Sequence, residues 1–445
     1  MRGRSNGTSI VNSPRSRKGT AADRGKVIHW PLGESETPAP EQPPSAFTRW
    51  FRQLGPGIVT GAADVDPSLV ITATVAGTAF RFGLLWVVVL SLPFLVATFA
   101  VTGRIGHETR KGLVDLLREH HGRFWAVLCA AVIVFINMAM IIADLMAVSD
   151  ALSIILAQQR IVFIALTAFS VWYVLIFHDY RRITRVLLWL ALPLFLYVGA
   201  AVLSVKSWTD LALGTVIPRT VHSTDYISTL VGLFGSLLTP YILVWQTSSR
   251  GEQASRGDDL HETESHAGSF VTTILCYSII VAAAYVLHMP NATEMTTRQA
   301  AEALRPVAGD LGPFVFALGI IGAGLVALPV LVASMCYSIA ESMEWKAGLS
   351  EHPWEAKRFY VLISAAMFIA AAANFLPINP VRALFYSQIL AGILTVPILL
   401  FTVWLANDRR VMTTVNTRLQ NFWIGAAAGG LVAAQLLWAW WALKK

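Results

Sequence analysis

The amino-acid sequence predicts an all-α polytopic membrane protein of eleven spans. Two inverted five-helix repeats, spans 1–5 and 6–10, with helices 1 and 6 broken, are followed by an eleventh helix. Three observations lead there. The 445 residues are 55% hydrophobic and only 14% charged, well outside the range of soluble domains. Apolar runs of about 20 residues, the length that crosses a bilayer, recur along the chain. Two of these runs, each the first of its half, are interrupted by a proline with polar groups gathered around it. An odd number of spans per half then gives the halves opposite orientations.

Residues 1–46 are rich in Ser, Gly, Arg and Pro and end in Thr37-Pro-Ala-Pro-Glu-Gln-Pro-Pro44. Such a composition cannot bury a core, so a disordered basic tail is expected, and residues 47–445 form the membrane domain. The tail has no apolar h-region, which argues against a cleaved signal peptide. Apolar runs fall near residues 54–79, 84–102, 124–157, 161–177, 183–205, 228–248, 268–288, 313–339, 359–376, 383–406 and 422–443. Most of the 34 Lys and Arg lie in the tail and in the loops after spans 2, 4, 6, 8 and 10. This places the N-terminus in the cytoplasm and the C-terminus outside. The net charge of +7 is largely that excess, and it calls for no nucleic-acid partner. Arg15, Arg17 and Lys18 read as a solvated tail beside the lipid bilayer. Cys129, Cys276 and Cys336 each fall inside an apolar run and serve as small hydrophobes.

Span 1 carries Gly61-Ala62-Ala63-Asp64-Val65-Asp66-Pro67-Ser68. A charge at bilayer depth costs roughly 2.5–3.5 kcal/mol even on the lenient insertion scale, so such residues face a cavity or a partner. Pro67 removes a backbone N–H and breaks the helix, freeing carbonyls such as that of Ala63. An acid at a helix break is a candidate cation site. Span 3 contains Asn137 and Asp144, seven residues apart and on one helix face. Asp144 reads either as a helix-packing hydrogen bond to a Ser or Thr or as part of an ion or proton path. Span 3 is longer than one crossing needs, so its last part should emerge from the membrane. Spans 4 and 5, joined by the basic His178–Arg182 turn, read as scaffold. Span 6 breaks at Pro240, with Ser236, Thr239, Tyr241 and Gln246 around it. Matching broken helices in two halves point to a transport site.

With both breaks in view, the sequence resembles the Nramp family of divalent-metal transporters, over residues 52–443. The carriers are Gly55-Pro56-Gly57, Asp66-Pro67-Ser68 where the family has Asp-Pro-Gly-Asn, Phe82-Gly83-Leu84-Leu85-Trp86, Ala143-Asp144-Leu145, Thr239-Pro240-Tyr241 where it has Met-Pro-His, and Ser387-Gln388. The resemblance implies the LeuT-like fold, Asp66 as a metal ligand and Gln388 as a residue that approaches the metal. It also implies a proton-path role for Asp144. The sequence departs at Leu69 in place of an asparagine, Thr239 in place of a methionine, Tyr241 and Gln246 in place of histidines, Ala147 in place of a glutamate, and in having no arginine in span 9. It looks like a divergent branch, similar to bacterial members and hence expected in an inner membrane.

The expected function is secondary active transport of a divalent cation of the manganese, iron or magnesium class by alternating access, with proton symport as one option. No cofactor is expected; the metal ion is the substrate. The expected metal-site residues are Asp66, Thr239, Gln388 and the carbonyls around Ala63 and Ser236. Asp144, Asn137, Asp64, Tyr241 and Gln246 are candidates for a proton or ion pathway. Because Asp64 lies two residues before Asp66, the helical repeat could turn it away. All these donors are oxygens, which suits hard ions and weakens selection for soft ones. The alternative is an amino acid or organic amine held by an aspartate and the aromatic Tyr241 and Trp245. A metal sensor would need more than so short a tail. An enzyme is not expected: His120-His121 and His261-Glu-Thr-Glu-Ser-His266 lie in loops without zinc-site spacing, and Asn291-Ala-Thr293 is a bare glycosylation pattern.

Overall fold

A computed structural model of the chain describes residues 61, 64–177, 192–218, 223–255, 262–286, 292–302, 309–349 and 351–443. The N-terminal tail, Gly55-Pro56-Gly57, Ala63, the 178–182 turn, His261 and Asn291 lie outside the described residues. Among the described residues all regular structure is helical. In the first span Gly61 and Asp64 are helical and α1 follows (Pro67–Phe80). Next come α2 (Leu85–Thr109), the short α3 (Leu113–His121), α4 (Arg123–Leu156) and α5 (Arg160–Phe177). The described part of the fifth span is a 3-10 turn (Leu192–Phe195) and α6 (Leu196–Ser204), and α7 (Trp208–Val216) lies in the connection. The sixth span is split into α8 (Thr224–Leu237) and α9 (Pro240–Ser255). Then follow α10 (Glu262–Val286), α11 (Thr297–Glu302), α12 (Gly312–Ser342), α13 (Lys357–Ala373), α14 (Pro380–Asn407) and α15 (Arg418–Leu443). Among the described residues eight helical segments are long and apolar enough to cross a membrane. The remaining expected spans correspond to the shorter α1, α6 and α13.

Two layers organise these helices. In one, α1 packs on α8 and α10, while α2 packs on α9 and α10; in the other, α4 packs on α12 and α5, and α13 packs on α5 and α12. Exchanging spans 1–5 with spans 6–10 maps this pairing onto itself. The α1–α10 contact becomes α9–α2, and the α4–α12 and α5–α13 contacts are their own images. The repeat, invisible as residue identity, is therefore visible as topology. Between membrane helices there is no hydrophobic driving force, so small residues that allow close approach carry the packing. Gly106 on α2 shows this: a Cβ there would lie 2.1 Å from the Thr247 carbonyl oxygen on α9.

Large apolar side chains point outward on several spans, among them Phe135, Phe169, Leu203, Phe368 and Leu436. A bilayer solvates these, whereas water would not. The connection after span 2 forms α3, amphipathic as its sequence suggests, with Leu113, Val114, Leu116 and Leu117 buried. Gly112 at its N-cap has no side chain to offer, and Glu341 from the end of α12 supplies the cap instead. Its Oε2 accepts from the Val114 N–H (3.1 Å) and its Oε1 accepts from Ser248 Oγ on α9 (2.5 Å). One turn away on both helices, Tyr337 Oη donates to Glu252 Oε2 (2.6 Å). Thus α9 and α12 are tied by a two-rung ladder, Ser248–Glu341 and Glu252–Tyr337.

The ladder lines a cavity of about 620 Å³ that also touches Lys111, Asp115 and Lys346. Burial there pushes the Asp115 carboxyl above its ordinary range, against the pull of Arg118. At the opposite end of α4 a second cavity, of about 740 Å³, is lined by Asp150, Ser153, Thr297, Arg298 and Asn379. Asp150 is thus at the far end of span 3, where that long helix was expected to leave the membrane.

Candidate functional site at the paired helix breaks

Span 1 stops being helical at Val65 and resumes at Pro67. The reason is local: proline has no N–H to give the preceding turn, but its fixed φ suits the first position of a new helix. Asp66 becomes the N-cap of α1, with extended backbone (φ −76°, ψ 169°), and its Oδ1 accepts from the Leu69 N–H at 2.6 Å. Span 6 repeats the construction. There α8 ends with the Leu238 N–H bonded to the Phe234 carbonyl (3.0 Å), and Pro240 opens α9. Because Pro240 cannot donate, the Ser236 carbonyl loses the helical partner it would otherwise have. The Ser236 hydroxyl is used locally, donating to the Leu233 carbonyl (2.9 Å).

The two breaks meet. Thr239 Oγ1 donates to Asp64 Oδ1 at 3.0 Å, across 175 residues of sequence. From span 10, Gln388 aims its Nε2 at Asp66 Oδ2 over a long 3.4 Å. On the scaffold side, Asp144 Oδ1 accepts from Ser68 Oγ at 2.9 Å. Tyr241 is wholly buried in the first turn of α9. Asp64, Asp66, Ser68, Asp144, Ser236, Thr239, Tyr241 and Gln388 have no exposed surface. The two cavities described above are lined by other residues. Among the described residues, Asp64 Oδ2, Asp144 Oδ2 and Gln388 Oε1 accept no hydrogen bond. Leaving such an acceptor buried costs about 1–3 kcal/mol, which a cation or its water can offset.

Most of the expected residues are thus brought together, and two are placed elsewhere. Asn137 shares a helix face with Asp144, but its Nδ2 donates to Ser334 Oγ (2.7 Å) and the Leu331 carbonyl (3.3 Å) on α12. It fastens α4 to α12. Gln246 lies farther along α9, and its Oε1 accepts from Thr102 Oγ1 on α2 at 2.7 Å. Ala63 lies outside the described residues. Asp64, which helical spacing would turn away from Asp66, comes round to the same centre because the chain is no longer helical at Val65. Ser68 is the residue that sequence reasoning missed as a partner: it was noted as a departure, but nothing in one sequence links it to Asp144, 76 positions on.

No set of three or more His, Cys, Asp or Glu side chains that could hold a metal occurs among the described residues. His121 instead lies edge-on against Trp404, with ring centroids 3.8 Å apart. Two interrupted helices crossing at their breaks inside a helical membrane domain, with buried acids at the crossing, define a membrane transporter rather than an enzyme. The family model for Natural resistance-associated macrophage protein-like (Nramp) proteins matches residues 57–440, and the chain belongs to that family. It is 22% identical over 392 residues to the divalent metal cation transporter MntH of Granulibacter bethesdensis, covering 85% of each chain. With the protein of the same name from Erwinia tasmaniensis it shares 24% over 389 residues, covering 84% of this chain and 90% of that one.

Solved structures agree on the fold. The manganese transporter of Eremococcus coleocola, in complex with an aromatic bis-isothiourea substituted compound, superposes with a TM-score of 0.70 at 16% identity, covering 89% of this chain and 88% of that one. MhsT in complex with L-phenylalanine gives a TM-score of 0.56 at 12% identity, covering 86% and 98%. The chain is therefore a multi-pass integral membrane protein of the LeuT-like, Nramp-type fold.

Proposed function

We propose that this protein carries a divalent metal cation across the membrane by alternating access, with the span 1 and span 6 segments rocking against the α4–α12 scaffold. The observation that carries the reading is the meeting of the two breaks at a buried, oxygen-lined centre. Asp66, the Thr239 hydroxyl, the Ser236 carbonyl and Gln388 Oε1 supply its donors. Relatives called divalent metal cation transporters support the cation. The donor set narrows it: with neither thioether nor imidazole at the breaks, magnesium or manganese fits better than a soft ion. An inner-membrane location with the N-terminus inside accords with the charge distribution and with bacterial relatives.

The test is uptake into proteoliposomes of magnesium, manganese, iron and calcium, run on the wild type and on Asp66→Ala. Uptake of at least one ion should be seen, and the variant should lose it. Transport that survives the substitution would remove Asp66 from the site. The amine alternative would use Tyr241 and Trp245, which stand one turn apart on α9. Amine uptake without metal uptake would replace the metal reading.

Coupling to protons is a finer part of the proposal, and Asp144 is its acceptor. Its unpartnered Oδ2 and its bond to Ser68, two residues from Asp66, support that role. An inward proton gradient should stimulate uptake, and Asp144→Asn should abolish the stimulation while metal binding persists. A variant that still responds to the gradient would dissociate Asp144 from coupling.

A further inference from the structure

We infer that Asp64 is a specificity-determining residue: with Asp66 it gives the site two carboxylates, matched to a hard, doubly charged cation that keeps part of its water shell. The inference rests on the divalent-cation reading of the site and adds to it the residue that sets the charge. Four observations support it. First, Asp66 is largely committed, with Oδ1 held as the helix cap by Leu69 N–H and Oδ2 faced by Gln388 Nε2. Second, Asp64 is half committed. Thr239 fixes its Oδ1, which orients the carboxyl, while Oδ2 is wholly buried and accepts no well-formed hydrogen bond among the described residues, its neighbour Thr272 donating to the Gly61 carbonyl (3.0 Å).

Third, the two acids converge. In a continuous helix residues two apart point to roughly opposite sides, but here the helix is broken at Val65, and Asp64 meets Thr239 from the span 6 break while Asp66 meets Gln388. Fourth, neither acid forms an ion pair among the described residues. Two buried carboxylates without a cationic side chain repel one another, and a dication between them balances both. A carboxyl oxygen is also a hard ligand and a strong acceptor for metal-bound water, which suits magnesium, an ion that sheds water reluctantly. Through Thr239 the same carboxyl bridges span 1 to span 6, so cargo bound at Asp64 bears on both broken helices at once.

Asp64→Asn isolates the charge, because the amide oxygen still accepts the Thr239 hydrogen bond. In proteoliposomes of the full-length protein, the variant should raise KM for magnesium by about tenfold, a modest share of the binding free energy. Its maximal rate should stay within about threefold of wild type, since the frame of the site is intact. The rise in melting temperature that magnesium gives the purified protein should shrink in parallel.

A KM, ion preference and magnesium-dependent stabilisation all equal to wild type would reduce Asp64 to a strut for Thr239 and overturn the inference. If Asp64→Asn does not fold, Asp64→Glu takes its place, keeping the charge and extending its reach. A changed ratio of magnesium to calcium uptake then supports the inference and an unchanged ratio overturns it. Asp66→Ala separates the two levels: uptake intact in that variant sinks the underlying site, whereas uptake lost there with Asp64→Asn silent sinks only the present inference.

Discussion

Gly235→Val should reduce metal uptake to background, while Gly232→Ala, one turn earlier on the same helix, should leave it within about twofold of wild type. A Cβ at Gly235 would stand 2.2 Å from the Gln388 carbonyl oxygen and 2.6 Å from the Gly392 nitrogen. Both are backbone atoms, so no rotamer change relieves the clash and α8 must move off α14. Gln388 moves with it, and the site loses its third wall. At Gly232 the nearest atoms are side-chain carbons of Ile389 and Thr72, 3.5 and 3.6 Å away, an ordinary contact distance. Initial rates in proteoliposomes, read beside size-exclusion profiles of the purified variants, separate a displaced site from a misfolded chain. Equal activity of the two variants would show that the α8–α14 approach does not position Gln388.

Glu341→Ala should be among the most destabilising single changes outside the site. It leaves Ser248 Oγ and the Val114 N–H without their acceptor and uncaps α3. A lost cap costs about 0.5–2 kcal/mol and each stranded buried donor about 1–3, so roughly 2–4 kcal/mol in total is expected after partial rescue by water. Glu341→Gln keeps an acceptor oxygen and should lose less. Thermal unfolding in detergent measures the order wild type, Gln, Ala; an Ala variant as stable as wild type would mean that water replaces the carboxylate in full.

The class of the fold was legible because it depends on composition, run length and local chemistry. Both breaks could be read directly, since proline acts on its own turn wherever it stands, and at the first of them the preceding acid, Asp66, becomes the cap. The remainder depended on pairs. Thr239 finds Asp64, Ser68 finds Asp144 and Gln388 finds Asp66 only after the halves have folded together, and no local pattern encodes partners so far apart in sequence. Asn137 illustrates the same limit. Helical spacing put it on the face of Asp144, yet the presence of Ser334 opposite it decided that it packs rather than lines a path. Glu341 left a signal that was passed over: a carboxylate just beyond the apolar run that ends at residue 339. The inverted repeat left little in the residues but survives in which helix touches which, because packing conserves shape after side chains have diverged.

The separation between Asp66 and Gln388, 322 residues, also sets a timetable for biogenesis. At synthesis rates of about 5–20 residues per second, the acids of span 1 leave the ribosome roughly 15–60 s before the glutamine that completes their surroundings. During that interval two aspartates and a broken helix confront the insertion machinery without Thr239, Tyr241 or Gln388, and each acid opposes partitioning by about 2.5–3.5 kcal/mol. Span 1 therefore depends for its place in the bilayer on helices made after it. The chemistry that suits it to hold a cation makes its settling wait on partners synthesised after it.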